Sequence, residues 1–233
     1  MESNASSYEF MAEPFHCDFS HHLFLGHLGN HLLNASDFHS DEHDFGVVYL
    51  NKINAAWVLS RLAIEMNEMP REYDKFTIET WVENVYRFFT NRNYAIQGLD
   101  GKVYGYARSI WAMIDKDSRQ PVDLLSIRGG AINEYMIPEK QVPIYKPSRV
   151  KMSDAAEIAG SVVAKYCDLD LNGHVNSVKY IEHILDLFPK DTYQKNRIQR
   201  FEIAYVAESH YDDTLTFYRE EVATNEFNIA IKK

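Results

Sequence analysis

The sequence has few cysteines, no long apolar run and no excess of basic charge. Its two cysteines, Cys17 and Cys167, give no disulfide framework among 233 residues, which fits a reducing cytoplasm. No apolar stretch approaches the ~20 residues of a membrane span. Residues 1–4 lack the basic and apolar regions of a signal peptide, and no long Ser/Arg-rich transit peptide is present. We therefore expect a cytoplasmic protein without a membrane partner.

The charge balance excludes a further class of partner. Asp and Glu number 34 against 24 Lys and Arg, so the formal net charge is −10, which argues against nucleic acid as a partner. Hydrophobic residues make up 45% of the chain, with 15 Tyr and 13 Phe among them. That composition supports a sizeable core and suits a sheet-rich protein with an apolar pocket.

One stretch concentrates the polar chemistry of the chain, Asp168-Leu-Asp-Leu-Asn-Gly-His-Val-Asn176. An apolar stripe follows it at spacings of three, four and three, which predicts a helix with one buried face. Asp170 or Asn172 is expected to cap the start of this helix, and Pro189 to close it. The stripe consists of Val178, Ile181, Leu185 and Phe188.

The same stretch has the residue types of a catalytic site. A helix N-terminus offers free N–H groups and a partial positive charge, which suit the oxyanion formed when a thioester or ester carbonyl is attacked. Gly173 lacks a Cβ, so its backbone can approach a carbonyl closely. Asp170 would activate a water or attack directly, and Asn172 or His174 would orient the reacting groups. The alternative is a capped helix with a His and an Asn in its first turn.

The first half of the sequence predicts one long helix and an antiparallel meander. The helix is expected over residues 20–36, with Ser20 as its cap. Its apolar stripe consists of Leu25, Leu28, Leu32 and Ala35. Alternating residues predict strands at 56–66, 76–83, 93–97 and 103–114, after a first strand at 8–18 that is broken at Pro14. A long helix wrapped by such a sheet is the hotdog arrangement.

The second half looks like a repeat of the first. Residues 61–64 and 74–78 resemble residues 200–203 and 213–217 at one offset of 139 (200 − 61). Further strands are predicted at 161–166, 200–206, 214–221 and 227–231. We therefore predict an α+β fold with two hotdog units in tandem, a monomer that imitates a dimer.

The expected domain boundaries follow from three spaced prolines. Pro138, Pro143 and Pro147 favour extended chain and predict a linker. We assign residues 1–135 to an N-terminal unit that forms the pocket wall, 136–150 to the linker, and 151–233 to a C-terminal unit with the catalytic residues. The last residues, 231–233, are predicted to lie in the first strand of a hairpin. Either the C-terminus is trimmed, or the second sheet is incomplete and has an exposed edge.

Histidines are frequent in and after the first predicted helix. His27 and His31 lie four residues apart, share a helix face and would suit a metal ion. No cysteine or well-spaced carboxylate on the helix completes a ligand set. We interpret this face as a cavity lining or a surface, and we expect neither a metal nor an organic cofactor.

The two halves differ at one informative place. At the repeat offset, Glu208-Ser209 of the second half corresponds to Met69-Pro70 of the first. A carboxylate thus stands in the half that also holds the Asp168–Asn176 stretch. This suggests that one half keeps the chemistry while the other forms a binding wall. The ordinary alternative for Glu208 is a solvated loop residue.

These segments resemble the acyl-acyl carrier protein (acyl-ACP) thioesterases of plant plastids and bacteria. The family motif D-x-D-x-N-x-H-V-N-N-x-x-Y-x matches from Asp168 onward, except that Ser177 replaces the usual second Asn. Glu208 matches an active-site Glu, whereas Ser209 stands where plant members have Cys. A Cys nucleophile at that position is therefore excluded. The resemblance covers most of the chain, including a strand-like segment at 109–115.

The residues and the resemblance together imply hydrolysis of fatty acyl-ACP, which would terminate fatty acid synthesis. Asp170 would be the nucleophile or would position the attacking water, and Glu208 would be the general base. Asn172 and His174 would orient these groups, and backbone N–H at Gly173–His174 would stabilise the oxyanion. A carboxylate pair in one pocket would raise one pKa. The side chains expected in the substrate pocket are Trp57, Phe88, Trp111 and Ser209.

The expected partner is an acyl carrier protein, and a homodimer is left open. Carrier proteins are acidic, so docking on this acidic chain would need a local basic patch. Two alternatives remain: a thioesterase that prefers acyl-CoA, and a non-catalytic acyl-binding module, which the missing Cys and the unfinished sheet would suit. The two candidate patches, each with ordinary solvated surface as the alternative, are Lys190, Lys195, Arg197 and Arg200, and Lys140, Lys146, Arg149 and Lys151.

Overall fold

A computed structural model describes residues 4–148 and 150–233, which form two compact units. The first unit spans Met1–Pro147 and Ile198–Ile203, and the second spans Ser148–Arg197 and Ala204–Lys233. The units therefore change at Pro147, inside the segment expected to be a linker. Most of that segment is not a free linker, because Val142 is 5% exposed and packs with Trp81.

A six-stranded sheet forms the framework of the first unit, in the order β1-β3-β4-β5-β2-β7. The pairs β1/β3, β3/β4, β4/β5 and β5/β2 are antiparallel. The alternating pattern of the sequence accounts for these strands, although β4 begins four residues earlier than predicted. The strands are β1 (Ser6–Met11), β2 (Ala55–Met66), β3 (Lys75–Val85), β4 (Phe89–Gly98), β5 (Val103–Asp115) and β7 (Arg200–Ala204).

The long helix of the first unit, α1 (Leu25–Glu42), packs on this sheet. Its predicted stripe is buried: Leu25, Leu28, Leu32 and Ala35 are 0–6% exposed. The hydroxyl of Ser36 lies 2.6 Å from the Tyr94 hydroxyl, which lies 2.7 Å from Ser109 Oγ. Ser20 is not the cap, because its N–H and hydroxyl bind Asp18 in a turn before the helix. Phe24 holds the N-cap position instead.

Two elements of the first unit lack a clear signal in the sequence. One is a short helix, α2 (Val47–Lys52), and the other is a pair of 3₁₀ turns within Leu124–Tyr135 that is interrupted at residues 127–130. Both cover one end of the core, where Phe45, Leu50 and Met113 pack with Leu124. Across the described ranges, no helix is both long and apolar enough to cross a membrane.

The second unit packs a short helix with a three-stranded antiparallel sheet of order β6-β8-β9. Asn176 caps the helix, since its Oδ1 accepts from Val178 N at 2.9 Å, so the expected cap at Asp170 or Asn172 is wrong. The helix also ends at Leu185, before Pro189. The elements are β6 (Glu157–Val163), α3 (Ser177–Leu185), α4 (Lys190–Lys195), β8 (Thr214–Ala223) and β9 (Glu226–Lys232).

The last strand corrects another expectation. β9 pairs antiparallel with β8, from Ala223↔Glu226 to Thr216↔Lys232, so it is the second strand of a hairpin and not the first. The hairpin turns at Asn225, whose φ is +60°. Each unit thus combines a helix with an antiparallel sheet, in agreement with the predicted tandem hotdog fold, although α3 has 9 residues against 18 in α1.

Candidate functional site

The predicted motif folds into a tight turn ahead of α3, here called the second-unit turn (Asp170–His174). The Oδ1 atom of Asp170 accepts from Asn172 N at 2.8 Å and from His174 N at 3.1 Å. Asp170 N donates to His174 O at 2.8 Å, and Gly173 N donates to Asp170 O at 3.1 Å. Gly173 adopts a φ of +80°, a conformation that glycine reaches without a Cβ clash. The motif therefore specifies the turn as well as its side chains.

The second-unit turn is joined to the segment that carries Glu208. Val175 N donates to Ser209 O at 2.8 Å, and an antiparallel bridge links His174 with His210. This pairing brings His174 Nε2 to 3.7 Å from Glu208 Oε2. The two side chains are 24% and 37% exposed, so both are open to an incoming substrate. The structure thus places together two residues that are 34 positions apart (208 − 174) in the sequence.

Asn172 and the expected oxyanion donors have different surroundings. Asn172 is exposed in the turn, and its backbone N–H is engaged with Asp170. The N–H groups of Gly173 and His174 also donate within the turn, to the backbone and the carboxylate of Asp170. Neither N–H is directed at a substrate in this structure. The sequence pattern indicated the N–H groups of Gly173 and His174 as oxyanion donors, but it did not show that the turn around Asp170 would accept their hydrogen bonds.

A hydrogen-bonded Asp–His pair that sequence reasoning missed joins the segment before the second-unit turn to α3. Asp168 is 8% exposed, and its Oδ1 lies 3.0 Å from His183 Nε2 on α3. Its other oxygen, Oδ2, accepts from Lys165 N at 2.7 Å. The pair fastens the segment before the turn to the helix after it. The sequence offered one indication of this contact, since His183 lies in the predicted helix that follows Asp168.

The loop after Glu208 is held by a second carboxylate. Asp213 Oδ2 accepts from His210 N at 2.8 Å and from Lys233 Nζ at 3.1 Å. The hydrogen bond from His210 N, followed by the one from Lys233, holds the pKa of Asp213 below its usual range. Lys233 Nζ also donates to Glu208 O at 3.0 Å. Asp213 therefore stays ionised and fixes the backbone on which Glu208 stands.

Ser209, expected in the substrate pocket, is 6% exposed in the second unit. Its carbonyl accepts the hydrogen bond from Val175, so its backbone is part of the pairing that positions Glu208. Two tyrosines lie near the start of α3, with ring centroids 5.9 Å apart. Burial raises the pKa of both Tyr180 and Tyr205, and Tyr205 donates to Ser177 O at 2.9 Å. They act as neutral packing groups at this end of the helix.

The first unit contains a second copy of the turn, here called the first-unit turn (Asp18–His22). Asp18 Oδ1 accepts from Ser20 N at 2.7 Å, and Asp18 N donates to His22 O at 2.8 Å. Leu23 N donates to Pro70 O at 2.8 Å, as Val175 does to Ser209. His21, at the place of Gly173, also has a positive φ of +63°. The repeat inferred from sequence therefore extends to the turn, at an offset of 152 (170 − 18).

Comparison of the two turns separates framework from chemistry. Both have an Asp that accepts backbone N–H groups and a His at the end of the turn. Only the second unit has Glu208, since its counterpart at the offset of 139 is Met69. His22 Nδ1 lies 3.1 Å from Ser20 Oγ, whereas His174 lies beside Glu208. The carboxylate at 208 is therefore what distinguishes the second-unit site.

A cavity of about 60 Å³ lies within the first unit, between α1 and the sheet. Two of the predicted pocket residues, Trp57 and Trp111, line it, together with Phe45 and Ile132. Phe88 is not among the lining residues; it is 40% exposed and carries the Arg87 guanidinium 5.0 Å above its ring. The structure thus brings two of the three predicted aromatic residues to one cavity.

One wall of this cavity is polar. Arg92 is 5% exposed and donates to Thr80 Oγ1 at 3.2 Å and to Ser40 Oγ at 3.3 Å. Burial lowers the pKa of Arg92. Burial, together with the nearby charge of Arg92, lowers the pKa of His39 to about 3, so His39 is neutral. The cavity therefore combines aromatic walls with a buried hydrogen-bonding face.

Each basic patch contains some side chains that are paired within the protein and some that are exposed. Arg200 pairs with Glu65 and Glu202, and Lys140 pairs with Glu79. Lys190 and Lys195 are exposed on α4, and Arg197 is exposed just beyond it. Lys146 and Lys151 of the second patch are exposed as well, and Arg149 lies outside the described residues.

One group at the site has donor atoms of the kind that bind metals. One ligand atom from each of His174, Glu208 and His210 lies within 4.8 Å of the other two. Imidazole and carboxylate are the ligands of many catalytic zinc sites. The expectation that the site works without a metal therefore stays a prediction that chelation can test.

Comparison with known proteins gives two family models that match the chain. The acyl-ACP thioesterase N-terminal domain matches residues 5–126, and the acyl-ACP thioesterase C-terminal domain matches residues 150–232. Among solved structures, the chain is similar to an acyl-ACP thioesterase from Bacteroides thetaiotaomicron, with 53% identity and a TM-score of 0.92. That match covers 98% of this chain and 92% of the other.

More distant relatives agree in fold. The 12:0-ACP thioesterase from Umbellularia californica has 17% identity and a TM-score of 0.84, over 98% of this chain and 88% of that one. The chain is also similar to the chloroplastic oleoyl-acyl carrier protein thioesterase of Coriandrum sativum, with 28% identity over 178 residues. That alignment covers 71% of this chain and 47% of the relative, so the chain spans about half the length of the curated relatives it matches.

Proposed function

Because this chain belongs to the acyl-ACP thioesterase family, we propose that it hydrolyses the thioester of a fatty acyl chain carried on an acyl carrier protein. The products would be a free fatty acid and the carrier thiol, which ends elongation of that chain. The observation that carries the proposal is the placement of His174 3.7 Å from Glu208 beside a turn built from the family motif. The first unit lacks that carboxylate, which supports assignment of the chemistry to the second unit.

In the proposed reaction, Glu208 accepts a proton from water as the water oxygen attacks the thioester carbonyl. His174 orients Glu208 and the water. The tetrahedral intermediate then collapses, the C–S bond breaks, and the proton held by Glu208 passes to the departing sulfur. Two N–H donors hold Oδ1 of Asp170 and disperse its charge, so we assign Asp170 to positioning the turn rather than to direct attack.

The oxyanion needs donors other than the two backbone N–H groups first considered. Gly173 N and His174 N are engaged within the second-unit turn. Asn172 is exposed beside His174, and its side-chain amide has two N–H donors. We therefore assign oxyanion stabilisation to Asn172. Amide side chains serve this purpose in other acyl-transfer sites.

We assign the acyl chain to the cavity of the first unit. Trp57, Trp111 and Phe45 offer apolar surface of the kind that a hydrocarbon chain buries. At the polar wall, a methylene group would lie against Arg92 without satisfying it, so further chain burial there gains little. We therefore expect the depth of this cavity in front of Arg92 to set the preferred length of the acyl chain.

The compartment and the oligomeric state belong to the same proposal. Both cysteines, Cys17 and Cys167, are unpaired, which fits the reducing cytoplasm expected from the sequence. A homodimer is compatible with a tandem unit but is not required by the chemistry, because the site residues named above all lie on one chain. Size measurement in solution would decide the oligomeric state.

The test is release of free fatty acid from a panel of acyl-ACPs, with matched acyl-CoAs alongside. Wild type should turn over acyl-ACP, and Glu208→Ala should lose roughly a hundredfold or more in kcat because the base is removed. Asp170→Ala, which removes the acceptor of both turn hydrogen bonds, should lose a similar factor. Glu157→Gln, an exposed carboxylate on β6, is the matched control and should retain full turnover.

Each alternative has its own outcome in this assay. Turnover of acyl-CoA alone would identify the chain as an acyl-CoA thioesterase. Stoichiometric retention of an acyl chain without release of acid would identify a binding module and overturn the enzyme proposal.

A further inference from the structure

Three side chains with metal-binding atoms converge in the first unit, and none of them belongs to the first-unit turn. Glu13 and His16 lie at the 3₁₀ turn Pro14–His16, and His31 lies in the second turn of α1. One ligand atom from each lies within 4.8 Å of the other two. Glu13 Oε2 and His16 Nδ1 are 2.9 Å apart. This is a carboxylate and two imidazoles drawn from two separate segments of the chain.

His31 supplies an independent sign that the group lacks something. Its Nε2 is fully buried and has no hydrogen-bond partner among the described residues. The ring packs against Phe10 and Phe76, with centroids 4.6 and 5.7 Å away. A buried polar atom without a partner is costly, so native structures rarely keep one without a reason. A bound cation would satisfy a nitrogen of this kind.

The corresponding positions of the second unit hold a carboxylate and an imidazole that contact each other directly. At the offset of 152, His16 and His31 correspond to Asp168 and His183. There the carboxylate and the imidazole satisfy each other at 3.0 Å. In the first unit the Asp is replaced by a second His, and Glu13 adds a carboxylate where the second unit has Lys165. The exchange turns a self-sufficient pair into a set of three ligands.

We propose that Glu13, His16 and His31 form a binding site for a divalent transition-metal ion such as Zn²⁺. Two imidazoles and one carboxylate are a donor set that zinc accepts, with water completing a tetrahedron. The ring of His27 stacks on that of His16, with centroids 4.1 Å apart. The sequence had set a metal aside for want of a carboxylate on the helix, and the structure supplies that carboxylate from the segment before the helix.

The ion would serve as a cross-link between the 3₁₀ turn and α1. Metal ligands close a loop between residues 13 and 31 and exclude unfolded conformations in which these segments are apart. The inference does not depend on acyl chemistry, since no residue of the second-unit turn takes part. Its main expected effect is therefore on stability, which can be measured without substrate.

The experiment is titration of untagged, chelator-treated full-length protein with Zn²⁺ by calorimetry and with Co²⁺ by absorption. Wild type should bind one ion at this site and melt at a higher temperature with it. Glu13→Gln and His16→Ala, at partly exposed positions, should each weaken that binding by roughly tenfold or more, and His31→Gln should do the same. His21→Ala, an exposed histidine paired with Glu72, is the control and should bind like wild type.

A second comparison separates this site from the group at the second-unit turn. His210→Ala removes a ligand atom only from the latter, so it should leave the ion at the first unit in place. If wild type binds no ion, or if His210→Ala abolishes binding while Glu13→Gln and His16→Ala do not, the proposal is overturned. Circular dichroism of each variant confirms that loss of binding is not loss of fold.

Discussion

At the scale of single residues, side chains of the same chemical type have very different surroundings in the fold. Trp111 lines the cavity of the first unit, whereas Phe88 lies outside it with a cation above its ring. Both are large aromatic residues in strand-rich sequence, so composition alone does not separate them. This pair offers a sharp test of the acyl-chain assignment.

Trp111→Ala should shift the chain-length preference towards substrates roughly two to four carbons longer, because the truncation enlarges the cavity. Phe88→Ala removes a similar aromatic surface elsewhere and should leave the preference unchanged. The measurement is relative kcat/KM across acyl-ACPs of increasing length. An equal shift in both variants, or no shift in Trp111→Ala, would refute the assignment of the cavity.

The hydrogen bond between Asp168 and His183 provides a second test at this scale. Asp168→Ala leaves His183 and the N–H of Lys165 without their acceptor, so the free energy of unfolding should fall by about 2–4 kcal/mol. Asp191→Ala, an exposed position on α4, should change it by less than about 0.5 kcal/mol. Urea unfolding measures both. A small change in Asp168→Ala would mean that the pair contributes little.

The site could be predicted from sequence only as a set of residue types. Asp170, Asn172 and His174 stand in one motif, and the offset between halves pointed to Glu208. The role of Asp170 in holding backbone N–H groups depends on the turn conformation, which a motif does not specify. Glu13 and His16 were missed as partners of His31 because they lie before the helix, where helical spacing carries no information.

At the scale of secondary-structure elements, α1 buries polar side chains as well as its apolar stripe. It buries His39, which is 1% exposed and whose Nε2 donates to Asn4 O at 3.0 Å. Burial, followed by the charge of Arg92, lowers its pKa to about 3. The unfolded chain binds a proton at His39 near pH 6.5, whereas the folded chain does not.

This difference predicts a pH dependence with a definite sign. As pH falls from about 6.5 towards 3, the unfolded state gains a proton at His39 that the folded state lacks, so stability falls by up to about 1.4 kcal/mol per pH unit. His39→Gln should remove this one-proton slope, and His21→Gln, at an exposed position, should keep it. Urea unfolding at several pH values measures it. Identical slopes in all three proteins would contradict the burial argument.

Secondary structure follows from sequence where one periodicity dominates. β2 and β5 are long strands and were predicted within one residue of their bounds. α1 was misplaced at its start because Ser20 is a good cap in sequence but is engaged by Asp18 in the first-unit turn. α2 and the turns at 124–135 are short, and tertiary packing around Phe45 fixes them. Such segments carry too few residues for a periodic signal.

At the scale of the whole molecule, recognition of an acidic carrier by an acidic chain depends on local charge. Lys190 and Lys195 are both exposed and lie on one short helix, α4. Reversal of both lysines, Lys190→Glu with Lys195→Glu, should raise KM for acyl-ACP about tenfold with kcat unchanged. Turnover of acyl-CoA should be unaffected, because that substrate has no carrier surface.

The control is Lys116→Glu, a basic residue of the first unit, which should leave KM for acyl-ACP unchanged. Added salt should raise the KM of wild type for acyl-ACP, because it screens the attraction between the lysines and the acidic carrier. The difference in KM between wild type and the double variant should therefore shrink. If the double variant loses activity on acyl-ACP and acyl-CoA equally, the lysines support the fold and do not bind the carrier. If it keeps full activity on both, carrier docking involves another surface.

The two turns have a consequence for how this architecture can acquire new activities. In both, the backbone is held by an Asp and by pairing with a neighbouring loop, so neither turn depends on a reactive group for its shape. The side chain at the place of Met69 can therefore differ between the two units without loss of the turn. A tandem of two such units can confine turnover to one copy while the other keeps the same backbone for a different task.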